Sequence, residues 1–185
     1  MESIKILAFC GSLRAASYNT AAIKAMQILA PSNIEITIHS IGDLPLFNPD
    51  REGESISSLE KLVSALKITH GLIIASPEYA HGISGPMKNA LDWLVGGIEF
   101  PYKLIMLINT SPRASHAQES LREVLRTMSA IVVEKASVSI SLLSRDLDVN
   151  CIVKDAEISN TLVTGLKNFC AEIEAQKLNR VRAGI

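Results

Sequence analysis

No run of apolar residues in this sequence reaches the roughly 18 that a bilayer-spanning helix needs, so no membrane segment is expected. Net charge is nearly absent too, −1 from 18 basic and 19 acidic residues. That removes the electrostatic case for nucleic acid or an anionic membrane as a partner. Only three cysteines occur, Cys10, Cys151 and Cys170, an odd count without C-x-x-C spacing, and reduced thiols are expected. The four histidines are scattered without ligand spacing, which argues against a metal site. No Ser-His-Asp or Cys-His constellation emerges, so no side chain is assigned a catalytic role. The opening Met-Glu-Ser-Ile-Lys lacks the basic start and cleavage site of a signal peptide, and the cytoplasm is the expected location.

What is present is globular: 48% hydrophobic and 20% charged over 185 residues, which suits one α/β domain, residues 1–185. Ile4 to Cys10 reads as a first strand, residues 20–29 have helical spacing, and Ile34 to Ser40 alternates as a second strand. Pro45 and Pro49 predict an extended path through 43–50. Ser57-x-x-Glu60 has capping-box spacing before the stripe Leu59, Leu62, Val63 and Leu66. Gly71 to Ala75 is wholly apolar, the mark of a central parallel strand. A third helix follows at 86–95, ended by Gly96-Gly97, then a strand over 103–108 and a helix striped by Leu121, Val124, Leu125 and Met128. Residues 131–140 predict a broken fifth strand, and Leu162 to Ile173 a closing helix beyond which 178–185 should fray. Five strands alternating with five helices imply a flavodoxin-like, doubly wound parallel sheet of order 2-1-3-4-5. Its ligand site lies outside the carboxyl ends of the first and third strands.

The loops leaving those two strands are also the most distinctive chemically. Gly11-Ser-Leu-Arg-Ala-Ala-Ser-Tyr-Asn19 joins strand to helix with short hydroxyl and amide side chains and one cation. Gly11 is expected to permit a sharp turn. A helix N-terminus behind such a loop presents backbone N–H groups and a positive dipole end to an anion. An ordinary βα turn with a serine cap is the alternative. The Lys-Ser/Thr pair of a nucleoside-triphosphate loop and the Gly-x-Gly-x-x-Gly of a dinucleotide fold are both missing here. A single phosphate monoester, as in FMN, fits better.

Gly11-Ser-Leu-Arg-x-x-Ser-x-Asn19, Leu44-Pro-Leu-Phe-Asn48 and Pro77-Glu-Tyr79 followed by Gly85-x-x-Lys-Asn-Ala-Leu-Asp-Trp93 resemble the NAD(P)H-dependent FMN reductases. The resemblance runs from the first strand through the fourth helix and weakens after about Glu134. It implies FMN bound non-covalently, its phosphate on Ser12, Arg14, Ser17 and Asn19 with Tyr18 beside them. It implies that Pro77, Glu78, Tyr79, Ala80, His81 and Gly82 lie along the flavin ring, with Thr110 and Ser111 at its other edge. NADPH or NADH would be the co-substrate and a small diffusible molecule the acceptor: a flavin, quinone or azo compound. Helix 86–95, with Asn89, Asp92 and Trp93, resembles the element that pairs subunits into homodimers or homotetramers. The loop 110–116 departs from the glycine-rich loop common among relatives, and Arg113 in it is the candidate clamp for a 2′-phosphate. A flavodoxin-type electron carrier and a flavin-binding sensor are the rival readings. Steady NAD(P)H oxidation with a diffusible acceptor separates the enzyme from both.

Overall fold

β1 (Ile4–Cys10) is buried along almost its whole length and serves two cores at once. Ile4, Ile6, Ala8 and Cys10 enter one core, Leu7 and Phe9 the other, as the two-residue repeat of a strand dictates. A strand apolar on both faces must be covered on both. The computed structural model, which describes residues 3–111, 113, 115–142 and 148–183, supplies that cover. α1 (Tyr18–Leu29), α5 (Val149–Lys154) and α6 (Ala156–Ala183) pack on the first face. α2 (Ser57–Ile68), α3 (Gly85–Leu94) and α4 (Ser115–Thr127) pack on the second.

The other sheet strands are β2 (Ile34–His39), β3 (Gly71–Ala75), β6 (Leu104–Asn109), β7 (Ile131–Val132) and β8 (Val138–Ser139). All pair in parallel, in the order β2-β1-β3-β6-β7, with β8 beside the far end of β6. β4 (Glu78–Tyr79) and β5 (Gly82–Ile83) form a separate antiparallel hairpin. With that hairpin set aside, and β7 and β8 taken as one interrupted strand, this is the expected 2-1-3-4-5 order. The interruption is a turn in which Ala136 and Ser137 bond back to Val133.

Four local expectations are corrected. The helix α6 continues through Leu178 to Ala183 rather than fraying from 178. Before it lies the short α5, capped by Asp148, which no apolar stripe announced. Residues 49–51, expected to be extended, close a 3-10 turn capped by the Asn48 side chain, because proline at a first helical position costs nothing. The capping box at Ser57 does not form: Ile56 is the N-cap, and Glu60 instead accepts a 2.6 Å hydrogen bond from the Ser55 hydroxyl.

Asn89 and Trp93 of α3, where the resemblance implies subunit pairing, make contacts within the chain. Trp93 is buried, donates through Nε1 to the Pro45 carbonyl at 2.8 Å and meets Phe47 edge-on at 5.1 Å. The Asn89 side chain accepts from Phe47 N–H and donates to Pro45 O. The segment 45–47 is thereby stapled onto α3. The described cysteines are all unpaired, and burial pushes the Cys170 thiol up to about 11, which leaves it inert.

Gly165 in α6 gives a test of the packing. A Cβ there would lie 2.6 Å from Val138 Cγ1 and 2.8 Å from the Ala136 carbonyl oxygen. Replacing a mid-helix glycine by alanine gains about 1 kcal/mol in propensity, but overpacking against immovable backbone costs about 1–3 kcal/mol. Gly165→Ala is therefore expected to lower stability in urea unfolding; a stabilised variant would show that α6 stands further off the sheet.

Candidate functional site

Two chain segments, the loop after β1 and the connection from β3 to α3, meet at the carboxyl edge of the sheet over one residue, Gly11. Its N–H donates to Ala75 O at 2.8 Å, holding the ends of β1 and β3 together. A Cβ on Gly11 would stand 2.5 Å from Ser76 Oγ and 2.7 Å from Ser84 Oγ, closer than any side chain allows. Glycine is required here by crowding rather than by a positive φ, which corrects the expected reason for it. Ser76 and Ser84 share a hydrogen bond of 3.3 Å, and Ser84 caps α3 through Met87 N.

From this junction the β1–α1 loop runs out as a cradle. Ser17 is the N-cap of α1, its hydroxyl accepting from Thr20 N at 3.3 Å, and its own O–H stays available to donate. The Ser12 hydroxyl accepts from Arg14 N. Beneath the loop the Cys10 thiol lies 3.1 Å from Thr20 Oγ1, so this buried cysteine is tied into the cradle rather than being only a small hydrophobe. Asn19 is buried, and its Oδ1 accepts from the Thr110 hydroxyl at 3.1 Å, joining α1 to the end of β6. The first turn of α1 carries no acidic residue, so its positive end is unopposed.

Between these loops lies an open cleft of about 790 Å³. Of the expected residues, Ser12, Arg14, Ser17, Tyr18, Asn19, Pro77, Glu78, Tyr79, Thr110 and Ser111 line it together. Ala80, His81 and Gly82 do not: they sit at the tip of the β4–β5 hairpin, outside the lining. Sequence reasoning missed Lys24, Ser76, Asn109, Asp148 and Val149 in the wall. Lys24 lies on α1 beyond the loop motif. Asp148 and Val149 arrive with α5, whose only sequence signal was an aspartate at an N-cap position.

The wall carries three cations and two carboxylates. Arg14, Lys24 and Arg113 line it, and their side chains have no partner among the described residues. Both carboxylates in it are already engaged. Asp148 accepts from Cys151 N at 2.8 Å, which holds its carboxyl below the usual range. Glu78 Oε2 accepts from Ala117 N at 2.9 Å in the first turn of α4. Tyr79, half-exposed, forms an aromatic edge of the cleft.

The sequence model for NADPH-dependent FMN reductases matches residues 4–143. A quinone reductase of Escherichia coli is 30% identical over 142 residues, covering 72% of this chain and 76% of its own. An NAD(P)H-dependent FMN reductase of Pseudomonas aeruginosa is 30% identical over 153 residues, covering 80% and 83%. Among solved structures, the flavoenzyme NAD(P)H:acceptor oxidoreductase FerB of Paracoccus denitrificans superposes with a TM-score of 0.82 at 24% identity, covering 93% of this chain and 98% of its own. At that identity the structural likeness speaks to fold alone.

The link between α1 and β6 is testable without a ligand. Thr110→Val keeps the shape but removes the hydroxyl donor and leaves the buried Asn19 oxygen unsatisfied. The expected loss is about 1–3 kcal/mol in urea unfolding. A loss below the error of the measurement would mean that Asn19 finds another donor.

Proposed function

The chain belongs to the NADPH-dependent FMN reductase family, and from that premise we propose that the cleft at the ends of β1, β3 and β6 is where it holds FMN. It is an NAD(P)H-dependent FMN oxidoreductase; FMN, when bound, supplies the hydride chemistry between a nicotinamide and a diffusible acceptor.

One observation carries the placement of the cofactor. The β1–α1 loop combines a helix N-terminus, the hydroxyls of Ser12 and Ser17, and an Arg14 guanidinium that no described residue neutralises. That donor set suits a phosphate monoester, whose charge answers both the dipole and the guanidinium. The residues present therefore fit the group. Ser12, Arg14, Ser17 and Asn19 would hold the phosphate, with Tyr18 beside them. Asn19 is kept in place by Thr110 from across the cleft. Pro77, Glu78 and Tyr79 would form the wall toward the ring, with the hairpin tip Ala80–Gly82 and the loop residues Thr110 and Ser111 bordering it.

Arg113 stands exposed at the mouth, where it would meet a 2′-phosphate and favour NADPH. An open cleft suits a small diffusible acceptor such as a flavin, quinone or azo compound, and the quinone reductases among the relatives support a quinone-type acceptor. None of the described helices is long and apolar enough to cross a membrane, and the proposed location is the cytoplasm. Self-association through the α3 region, as a dimer or tetramer, is supported by apolar side chains left bare around that helix. Leu46 is 83% and Ile98 88% exposed, while Trp93 is already consumed inside the protomer.

Arg14→Ala tests the phosphate seat. Losing one charge-assisted contact should raise the FMN dissociation constant about ten- to a hundredfold. Riboflavin affinity should stay near wild type, and turnover at saturating FMN should change little, because the contact is the same in ground and transition states. Flavin fluorescence titration reads the first two and steady-state NADPH oxidation the third. Unchanged FMN affinity with lost turnover would move Arg14 to the nicotinamide.

A further inference from the structure

The turn that closes the β4–β5 hairpin is made of two residues poorly suited to it. Ala80 has φ +50° and His81 φ +60°, both left-handed. Two-residue hairpin loops of this kind are normally built from Asn-Gly or Gly-Gly, because a Cβ is disfavoured at both positions. Neither residue here is asparagine or glycine, so something outside the turn must hold it.

Two of the holding contacts pass through one side chain. Glu78 is nearly buried, its carboxylate only 14% exposed. Oε1 lies 3.2 Å from His81 Nδ1, reaching across the hairpin to the strained residue. Oε2 accepts the 2.9 Å hydrogen bond from Ala117 N, one of the N–H groups that α4 cannot satisfy internally. The neighbouring His116, in the same turn of α4, meets the His81 ring edge-on with centroids 4.6 Å apart. Turn, strand and helix N-terminus are thus locked by one carboxylate, and the same strand lends Glu78 and Tyr79 to the cleft wall.

Resting on the reading of this cleft as the flavin site, we propose that Glu78 is a positioning residue rather than a cofactor ligand. By bridging His81 and the N-terminus of α4 it holds the Ala80–His81 turn in its strained form and so sets the Pro77–Tyr79 wall that the flavin ring would meet. Glu78 acts on the ring end of the cleft only. The phosphate end is built separately on β1 and α1.

That separation defines the experiment. Dissociation constants for FMN and riboflavin are measured by flavin fluorescence on the wild type, Glu78→Gln, Ala80→Val and the double variant Glu78→Gln/Ala80→Asn, together with the Tm of each flavin-free protein. Glu78→Gln removes the charge from both links and should weaken FMN and riboflavin by the same factor, about tenfold. Asparagine tolerates the left-handed region, so Ala80→Asn in that background should recover most of the loss. Ala80→Val adds strain at an exposed position without touching Glu78; it should weaken both flavins equally and lower the flavin-free Tm by a few degrees. It also keeps the test open should Glu78→Gln fail to fold. Wild-type riboflavin affinity in Glu78→Gln, weakening confined to FMN, or a lowered Tm that Ala80→Asn leaves unrescued each overturns the proposal. A wild-type protein that binds neither flavin overturns the assignment of the cleft itself, a failure the variants cannot imitate.

Discussion

The missing side chain of Gly11 is the constraint from which the site follows. β1 and β3 are neighbours in a parallel sheet, and their outgoing loops must separate to make room for a ligand. At Gly11 they do the reverse for one residue: the backbone touches Ala75 and passes under Ser76 and Ser84 with no space for a Cβ. That contact fixes the origin of the β1–α1 loop and of the connection that carries the hairpin. Beyond it the β1–α1 loop can rise on one side and the hairpin on the other, with the cleft between them. The Ser84 hydroxyl that crowds Gly11 also caps α3, so the placement of a helix and the placement of the cradle depend on the same atom.

Charge then decides what the cleft accepts. The chain as a whole is balanced at −1, yet the wall of the cleft is not. Its two carboxylates are bound to helix N-termini, at α4 and α5, where backbone N–H groups meet most of their hydrogen-bonding needs. Arg14, Lys24 and Arg113 have no such partners among the described residues. On the α4 face the arginines are paired, Arg122 with Glu134 and Arg126 with Glu123. An anion entering the cleft meets unsatisfied positive charge, whereas one arriving at the α4 face meets charge already neutralised.

The sheet order and the two loops at its switch point were legible because each rests on short-range rules. Ile4 to Cys10 and Gly71 to Ala75 are apolar on both faces, so they had to be central strands, and the switch point follows from that. The hairpin was not legible. Its strands are two residues long, and its turn breaks the glycine and asparagine preference that would have announced it. The task of Glu78 was hidden for a similar reason: its partner Ala117 is 39 residues away and contributes only a backbone N–H, which has no sequence signature. Trp93, expected in the core or at a subunit contact rather than at the cofactor, is buried against Pro45 and Phe47 of its own chain.

The two ends of the cleft are consequently held by different physics. At the phosphate end, Ser17, Asn19 and Thr110 are fixed by hydrogen bonds between regular elements, α1 and β6, and by the cores beneath them. Nothing there is strained. At the ring end the wall is a two-stranded ribbon too short to be stable alone, carrying two left-handed residues and kept in place by its contacts with α4. A site arranged this way anchors the invariant part of a cofactor firmly. The wall facing the variable partners, a nicotinamide and then an acceptor, is one whose conformation is decided by a few polar contacts. On the proposed placement of FMN, acceptor breadth would be set at the hairpin and cofactor affinity at the helix.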